Sequence, residues 1–294
     1  MLYPIIDIGS NTVKLSVLDS DHLFSSPPVF FKAAPLGLRS KVTNETLSDT
    51  AVDELCDLLL EYRAIAERLT SEKPIVFATA SLRGLRNQKE IQNRILEKTG
   101  LFAEVLSGET EAYYSFLGAR EGKSHHAGCV VDLGGGSTEI LSFRGKKVIS
   151  GVSIPFGCLT LYQSYFTKGK ADYEGCRRAI RGMLKAEAPV IYGKHITLSG
   201  GSAKAVLKYK NALAEKRGSA LTREQMDHVL RHYISGDEKK REEIALLLKD
   251  RFQLIPPALC VFQELFDLYG AEEAKVSKNG VREGCLAYYL QKKK

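Results

Sequence analysis

Tryptophan is absent from the 294-residue sequence, which also has no C-x-x-C pair and no long apolar run. No helix-turn-helix, zinc-finger or aromatic-rich basic motif is visible either, so nothing indicates a nucleic-acid-binding protein. No stretch approaches 18 uninterrupted apolar residues, and the first residues lack the basic segment of a signal peptide. The six scattered cysteines are typical of reduced, buried thiols. We therefore expect a cytoplasmic protein with no nucleic-acid and no membrane partner.

The composition is that of a folded globular protein, with 44% hydrophobic and 26% charged residues. The length predicts two domains of roughly 100–150 residues each. Lysine and arginine outnumber aspartate and glutamate by 42 to 35, which gives a formal net charge of +7. This balance favours a polyanionic partner such as a nucleotide or polyphosphate.

A seven-residue pattern occurs twice, at 6–12 and at 131–137. Each copy has an apolar run that carries one aspartate, Asp7 or Asp132, followed by a glycine-rich turn with a hydroxyl residue. Strand-forming residues continue after each turn, which predicts a β-hairpin at the head of a domain. The copies lie too far apart for a solenoid repeat, and their spacing suits two copies of one domain.

Apolar periodicity and capping residues predict further elements after each hairpin. The helix-like segments are 48–69, 87–99, 109–117, 172–186 and 203–213, and the strand-like segments are 75–78 and 195–198. The segment 223–249 predicts two helices that break at Ser235-Gly236. This alternation of strands and helices predicts an α/β fold.

Glycine-rich turns suit phosphate because backbone N–H groups can approach an anion closely where no side chain intervenes. A third such turn, between a strand and a helix, adds the N-terminal end of a helix dipole. An aspartate before a turn can hold Mg²⁺, which prefers a few carboxylates together with water and phosphate oxygens. The candidate phosphate-binding residues of the three turns are Gly9, Ser10, Asn11, Gly134, Gly135, Gly136, Ser137, Gly200, Gly201 and Ser202.

Several motifs in order resemble the exopolyphosphatase/guanosine pentaphosphate phosphohydrolase family, within the actin, Hsp70 and sugar-kinase superfamily. The motifs are Asp7-Ile-Gly-Ser-Asn-Thr-Val-Lys-Leu15, Ala78-Thr-Ala-Ser-Leu-Arg83, Leu106-Ser-Gly-Glu-Thr-Glu-Ala112, Asp132-Leu-Gly-Gly-Gly-Ser-Thr-Glu139, Ser199-Gly-Gly-Ser202 and Val281-Arg-Glu-Gly284. Together they cover nearly the whole chain.

The resemblance implies a hydrolase that depends on Mg²⁺ or Mn²⁺ and acts on phosphoanhydrides. It implies that Glu111 is the catalytic carboxylate and that Arg83 and Lys14 bind phosphate. Asp132 and Glu139 become the acids on the metal side, and we expect Asp7, the equivalent acid before the first turn, to be a metal ligand as well. Glu109 is the alternative base, but two residues on a helix lie about 200° apart, so only one of them can face the site.

The resemblance also implies two actin-like (ribonuclease H-like) domains with the active site in a cleft between them. We expect the first domain at 1–118, with a returning C-terminal helix at about 281–294, and the second at 119–280. A homodimer is expected.

The substrate stays open between inorganic polyphosphate, which we favour, and guanosine pentaphosphate. A sugar-kinase-like enzyme that uses ATP and a polyphosphate or alarmone sensor are weaker alternatives. The basic face Arg177, Arg181 and Lys185, and the pair Lys204 and Lys208, are either solvated surface or a track for a polyanion.

Overall fold

The computed structural model describes residues 1–120, 127–145, 147–167 and 171–293. The chain divides into two compact units, Met1–Glu121 with Val281–Lys294, and Gly122–Gly280. Each unit has its own mixed β-sheet and its own buried apolar core. The predicted α/β class is confirmed.

The first unit contains a five-stranded sheet in the order β3-β2-β1-β6-β7. β1 pairs antiparallel with β2 and parallel with β6, and β7 extends the parallel side. The strands of this unit are β1 (Leu2–Ile8), β2 (Thr12–Asp19), β3 (Phe30–Pro35), β6 (Ile75–Ala78) and β7 (Ala103–Val105), with a separate two-stranded sheet of β4 (Val42–Thr43) and β5 (Thr46–Leu47).

Among the described residues, four α-helices belong to the first unit. They are α1 (Asp49–Leu69), α2 (Gln88–Thr99), α3 (Gly108–Arg120) and α10 (Val281–Lys292), and 3₁₀ helices cover Ser20–His22 and Leu38–Lys41. Ser48 caps α1, because its hydroxyl accepts from the N–H of Ala51 at 3.3 Å. α3 and α10 pack backbone to backbone: a Cβ on Gly284 would overlap the carbonyl of Tyr114. The C-terminal helix therefore supports α3.

The second unit contains a six-stranded sheet in the order β10-β9-β8-β11-β13-β12. β8, β9 and β10 are antiparallel neighbours, β8, β11 and β13 run parallel, and β12 closes the edge antiparallel to β13. The strands are β8 (Ala127–Leu133), β9 (Thr138–Arg144), β10 (Lys147–Ile154), β11 (Ile196–Ser199), β12 (Ala220–Thr222) and β13 (Glu273–Val276).

The helices of the second unit surround its apolar core. They are α4 (Cys158–Tyr165), α5 (Tyr173–Glu187), α6 (Gly200–Leu213), α7 (Arg223–Ser235), α8 (Glu238–Leu248) and α9 (Ile255–Tyr269), with a 3₁₀ helix at Lys249–Leu254. α7 ends at Ser235 and Gly236 is its C-cap residue, so the predicted break is confirmed. α6 begins at Gly200, three residues before the predicted start.

Five strands have the same order in both sheets, and β12 is an additional edge strand of the second. In each, the first strand has the second and third on its antiparallel side and two later parallel strands on its other side. The sequence repeat thus corresponds to a repeated hairpin, and the third strands, β3 and β10, are additions that the sequence pattern did not indicate.

Two arginines on the basic face of α5 pair with acids on α9. Arg177 and Arg181 donate from their Nε atoms to Glu264 Oε1 and Oε2 on α9, at 2.7 and 2.8 Å. Arg177 also donates to Asp267 at 3.1 Å. Since Glu264 is only 2% exposed, these two arginines compensate a buried charge between helices. The polyanion track stays a prediction for this face.

The cysteines and the lengths of the helices complete the description of the fold. All six cysteines are buried free thiols. Burial raises the pKa of Cys129 and of Cys158 to about 12, so neither is a reactive thiolate at neutral pH. Within the described ranges, no helix is both long enough and apolar enough to cross a bilayer.

Candidate functional site

The first two glycine turns have the same internal geometry. Gly9 donates to the carbonyl of Thr12 at 3.2 Å, and Gly134 donates to the carbonyl of Ser137 at 3.0 Å. A Cβ on Gly9 would lie 2.9 Å from Thr12 O, and one on Gly134 would lie 3.0 Å from Ser137 O. Each tight turn therefore needs glycine at its first position, for the same contact.

The residue opposite each aspartate differs between the two turns. Asp7 is paired across β1 and β2 with Lys14, whereas Asp132 is paired across β8 and β9 with Glu139. Lys14 Nζ donates to Asp7 Oδ2 at 3.1 Å. One turn thus presents a cation with an acid, and the other presents two acids. The first turn therefore suits an anion, and the second turn suits a cation.

The two acids of the second turn are held by hydroxyl groups. Glu139 is 1% exposed, and Ser153 Oγ donates to its Oε1 at 2.6 Å. Asp132 is 8% exposed, and Ser199 Oγ donates to its Oδ2 at 3.3 Å. Burial of two carboxylates side by side is unfavourable unless a cation compensates them.

The donor set fits Mg²⁺ better than it fits a metal bound by protein ligands alone. Within the described ranges, no group of three or more histidine, cysteine, aspartate or glutamate side chains is arranged to hold a metal ion. Mg²⁺ is commonly bound through one or two carboxylates, with water and substrate phosphates as its other ligands. Asp132 and Glu139 therefore fit a divalent cation whose remaining ligands are water and phosphate oxygens.

The third turn packs against the second. Gly200 has φ +89°, and a Cβ there would lie 2.5 Å from Asp132 Oδ1, so both the backbone conformation and the space require glycine. Ser202 is 2% exposed, which leaves the backbone of Gly200 and Gly201 as the accessible part of this turn. The hydroxyls of Ser10 and Ser137 are also on buried residues.

Arg251 is a residue that sequence analysis did not assign to the site. Its guanidinium lies against Gly201, where a Cβ would come within 2.6 Å of Cζ and of Nη1. Gly201 therefore makes room for a positive charge beside the third turn. Arg251 lies on the 3₁₀ segment Lys249–Leu254, far from the turn in sequence, so the contact depends on the tertiary fold.

Arg83 and Glu111 meet in the first unit. Arg83 lies after β6 and Glu111 lies in the first turn of α3. The Nη1 atom of Arg83 donates to Glu111 Oε2 at 2.8 Å and to the carbonyl of Leu106 at 3.2 Å. Glu111 is 7% exposed, whereas Glu109 is exposed to solvent. The buried acid beside the arginine is therefore Glu111.

The start of α3 is fixed by Ser107. Its hydroxyl accepts from the N–H of Thr110 at 3.1 Å, and its carbonyl accepts from the N–H of Glu111 at 2.9 Å. This cap determines which residues of the first turn point inward. An acid in the first turn is also favoured by the helix dipole.

Comparison with known proteins identifies the family. Residues 24–293 match the family model of the Ppx/GppA phosphatase family. The chain belongs to the Ppx/GppA phosphatase family. The matched region contains Arg83, Glu111 and the second and third turns, and the first glycine turn precedes it.

Two curated relatives of this Ppx/GppA chain carry different activity names. Exopolyphosphatase 1 of Mycobacterium tuberculosis is 29% identical over an alignment of 188 positions, which covers 62% of this chain and 54% of that protein. The guanosine-5'-triphosphate,3'-diphosphate pyrophosphatase of Vibrio vulnificus is 24% identical over an alignment of 306 positions, which covers 98% of this chain and 59% of that protein. The chain thus spans little more than half the length of these relatives.

A solved structure agrees with the fold. The Aquifex aeolicus member of the Ppx/GppA family superposes with a TM-score of 0.80 at 24% identity, covering 100% of this chain and 98% of that one. The Ppx/GppA chain therefore has the two-domain actin-like α/β fold that its motifs implied.

Proposed function

We propose that this protein is an exopolyphosphatase that hydrolyses the terminal phosphoanhydride of inorganic polyphosphate and releases orthophosphate. The observation that carries the proposal is the buried Arg83–Glu111 pair, together with three glycine turns suited to phosphate. Phosphoryl transfer to water needs a group that orients the nucleophile and positive charge for the equatorial phosphate oxygens. Glu111 and Arg83 supply these two functions.

Glu111 would accept a proton from the attacking water, or hold that water in line with the terminal phosphorus atom. As oxygen attacks, the bond between that phosphorus and the bridging oxygen breaks, and the shortened chain leaves with the electron pair. Arg83 would donate to Glu111 and to a phosphate oxygen from one planar guanidinium. Its hydrogen bond to Leu106 O fixes the plane of that group.

Asp132 and Glu139 would hold Mg²⁺ or Mn²⁺. When bound, the ion neutralises phosphate charge. Asp7 is already engaged by Lys14, so we assign Asp7 to orienting Lys14 toward phosphate rather than to a metal. The backbone of the three turns and Arg251 would bind the remaining phosphates.

Guanosine pentaphosphate is the second candidate substrate. It is supported by the Vibrio vulnificus relative, whose similarity extends over 98% of this chain. The terminal phosphoanhydride is the same chemical bond in both substrates, so the catalytic residues do not separate the two substrates.

The oligomeric state and the location of the protein are also proposals. A homodimer stays a prediction, and the six buried free thiols support a reducing, cytoplasmic location.

Phosphate release tests the proposal directly. The purified chain is assayed with Mg²⁺ on polyphosphates of defined length, on guanosine pentaphosphate and on ATP. We expect turnover of polyphosphate and little turnover of ATP. Higher kcat/KM for guanosine pentaphosphate than for every polyphosphate would favour the second candidate, and the absence of phosphate release from all substrates would exclude a hydrolase.

A further inference from the structure

Helix α4 begins directly against the second glycine turn. The N–H of Cys158 donates to the carbonyl of Gly134 at 2.9 Å. The N–H groups of Leu159 and Thr160 both donate to the carbonyl of Gly135, at 3.0 and 3.2 Å. The first turn of α4 thus satisfies its own N–H groups with the carbonyls of the phosphate turn.

These contacts determine where the turn's own N–H groups point. In a trans peptide the carbonyl and the following N–H point in opposite directions, and the described chain contains no cis peptide. Because Gly134 O and Gly135 O face α4, the N–H groups of Gly135 and Gly136 face away from it. Neither N–H donates a hydrogen bond within the part of the chain that the structure describes. Two donors therefore project side by side.

Gly157 makes this close approach possible. It is the N-cap residue of α4, and a Cβ at this position would lie 2.6 Å from Gly135 O and 2.6 Å from Gly136 N. Both atoms are backbone, so neither can swing aside as a flexible side chain would. The adjoining carbonyl of Phe156 is held by Thr138, whose hydroxyl donates to it at 2.7 Å.

The first unit has a corresponding arrangement. The N–H of Arg39 donates to Ser10 O at 2.9 Å, and the N–H of Gly37 donates to Asn11 O at 2.9 Å. In both units the segment whose N–H groups donate to the turn directly follows the third strand, β3 or β10. The repeated use of this segment argues that it belongs to the turn's function and is not an accident of one loop.

We infer that Gly157 is a positioning residue for substrate. Because it lacks a side chain, α4 can orient the N–H groups of Gly135 and Gly136 toward a phosphate of the bound polyphosphate. This inference rests on the proposed function. Hydrogen-bond donors that bind polyphosphate equally well in the ground state and in the transition state lower KM without changing kcat. A purely structural defect does the reverse, because partial unfolding lowers the active fraction, and so the apparent kcat, at unchanged KM.

The test is steady-state kinetics on tripolyphosphate at saturating Mg²⁺. For Gly157→Ala we expect KM to rise about tenfold to a hundredfold, the range for losing hydrogen bonds to a charged group, with kcat within about threefold. Gly182→Ala is the matched control, since a Cβ at Gly182 on α5 meets nothing within 4 Å. Its KM should equal that of the wild type.

A second variant tests the same role in case Gly157→Ala does not fold. Thr138→Val keeps the side-chain shape and removes the hydroxyl that holds Phe156 O, and its KM should rise by a smaller factor, about threefold to tenfold. Lower apparent kcat with wild-type KM in the folded variants would overturn the positioning role. A wild-type chain that releases no phosphate from any polyphosphate would instead overturn the proposed function, and this inference with it.

Discussion

Arg83 Nη1 and Glu111 Oε2 are 2.8 Å apart, although one residue follows a strand and the other begins a helix. The pair is mostly buried, and the carbonyl of Leu106 accepts from the same arginine nitrogen. A carboxylate that is held in this way has a defined direction, which is what a group that orients water requires.

Glu111→Gln should lower kcat on polyphosphate by about 10²- to 10⁴-fold, the usual cost of removing a general base. Glutamine keeps the shape and can still accept from Arg83, so folding and KM should change little. The control is Glu109→Gln, two residues away on the exposed side of α3, which should keep wild-type activity. Loss of turnover in a folded Glu109→Gln variant but not in Glu111→Gln would show that the wrong acid has been assigned.

Arg83→Lys should restore only part of the activity that Arg83→Ala loses. A guanidinium offers parallel N–H donors to Glu111 and to phosphate, whereas an ammonium acts as a point charge. The measurement compares kcat/KM of the wild type and both variants on one polyphosphate. Wild-type kinetics in the lysine variant would mean that only positive charge matters at this position.

Asp132→Asn and Glu139→Gln should each raise the Mg²⁺ concentration needed for half-maximal activity by about tenfold or more, because each removes a charge meant for the ion. Asp7→Asn is the matched comparison, since Asp7 occupies the equivalent place in the other turn but pairs with Lys14. It should raise KM for polyphosphate and leave the Mg²⁺ requirement unchanged. If Asp7→Asn shifts the Mg²⁺ requirement as far as the other two do, Asp7 is also a metal ligand.

Local patterns predicted the parts of the fold that local interactions form. The two hairpins, α1 and the break between α7 and α8 were all readable from turn residues, caps and periodicity. β3 was not, because it is an edge strand with a proline at its end and only half-buried residues on its inner side. α9 was not, because residues 255–266 are all buried, so no exposed polar face marks the helix, and its first turn contains two prolines.

The candidate site divides in the same way. The glycine turns and their acids are contiguous motifs, so the sequence was enough to propose them. The partners that the fold brings to them from elsewhere were not predictable: Arg251 reaches Gly201, and the start of α4 reaches Gly134 and Gly135. Likewise, nothing near Arg177 in the sequence indicates that its partner is Glu264. Contacts between distant segments depend on packing, which periodicity does not encode.

Glu264→Gln should destabilise the second unit at pH 7 and make its stability less dependent on acid. Burial raises the pKa of Glu264, but the hydrogen bonds from Arg181 and Arg177 outweigh it and leave the pKa below its usual value of 4.5. A carboxyl whose pKa is lowered by folding stabilises the protein above the unfolded-state pKa, and this stabilisation is lost as the pH falls through the folded-state pKa.

For Glu264→Gln we expect a loss of about 1–3 kcal/mol at pH 7, which corresponds to a few degrees in Tm, and a smaller difference from the wild type below about pH 4. Thermal melts of both proteins between pH 7 and pH 3 measure this. Glu187→Gln, at the exposed end of α5, is the control and should melt like the wild type throughout. A gap between wild type and Glu264→Gln that stays constant down to pH 3 would show that the two arginines do not stabilise the fold through the charge of Glu264.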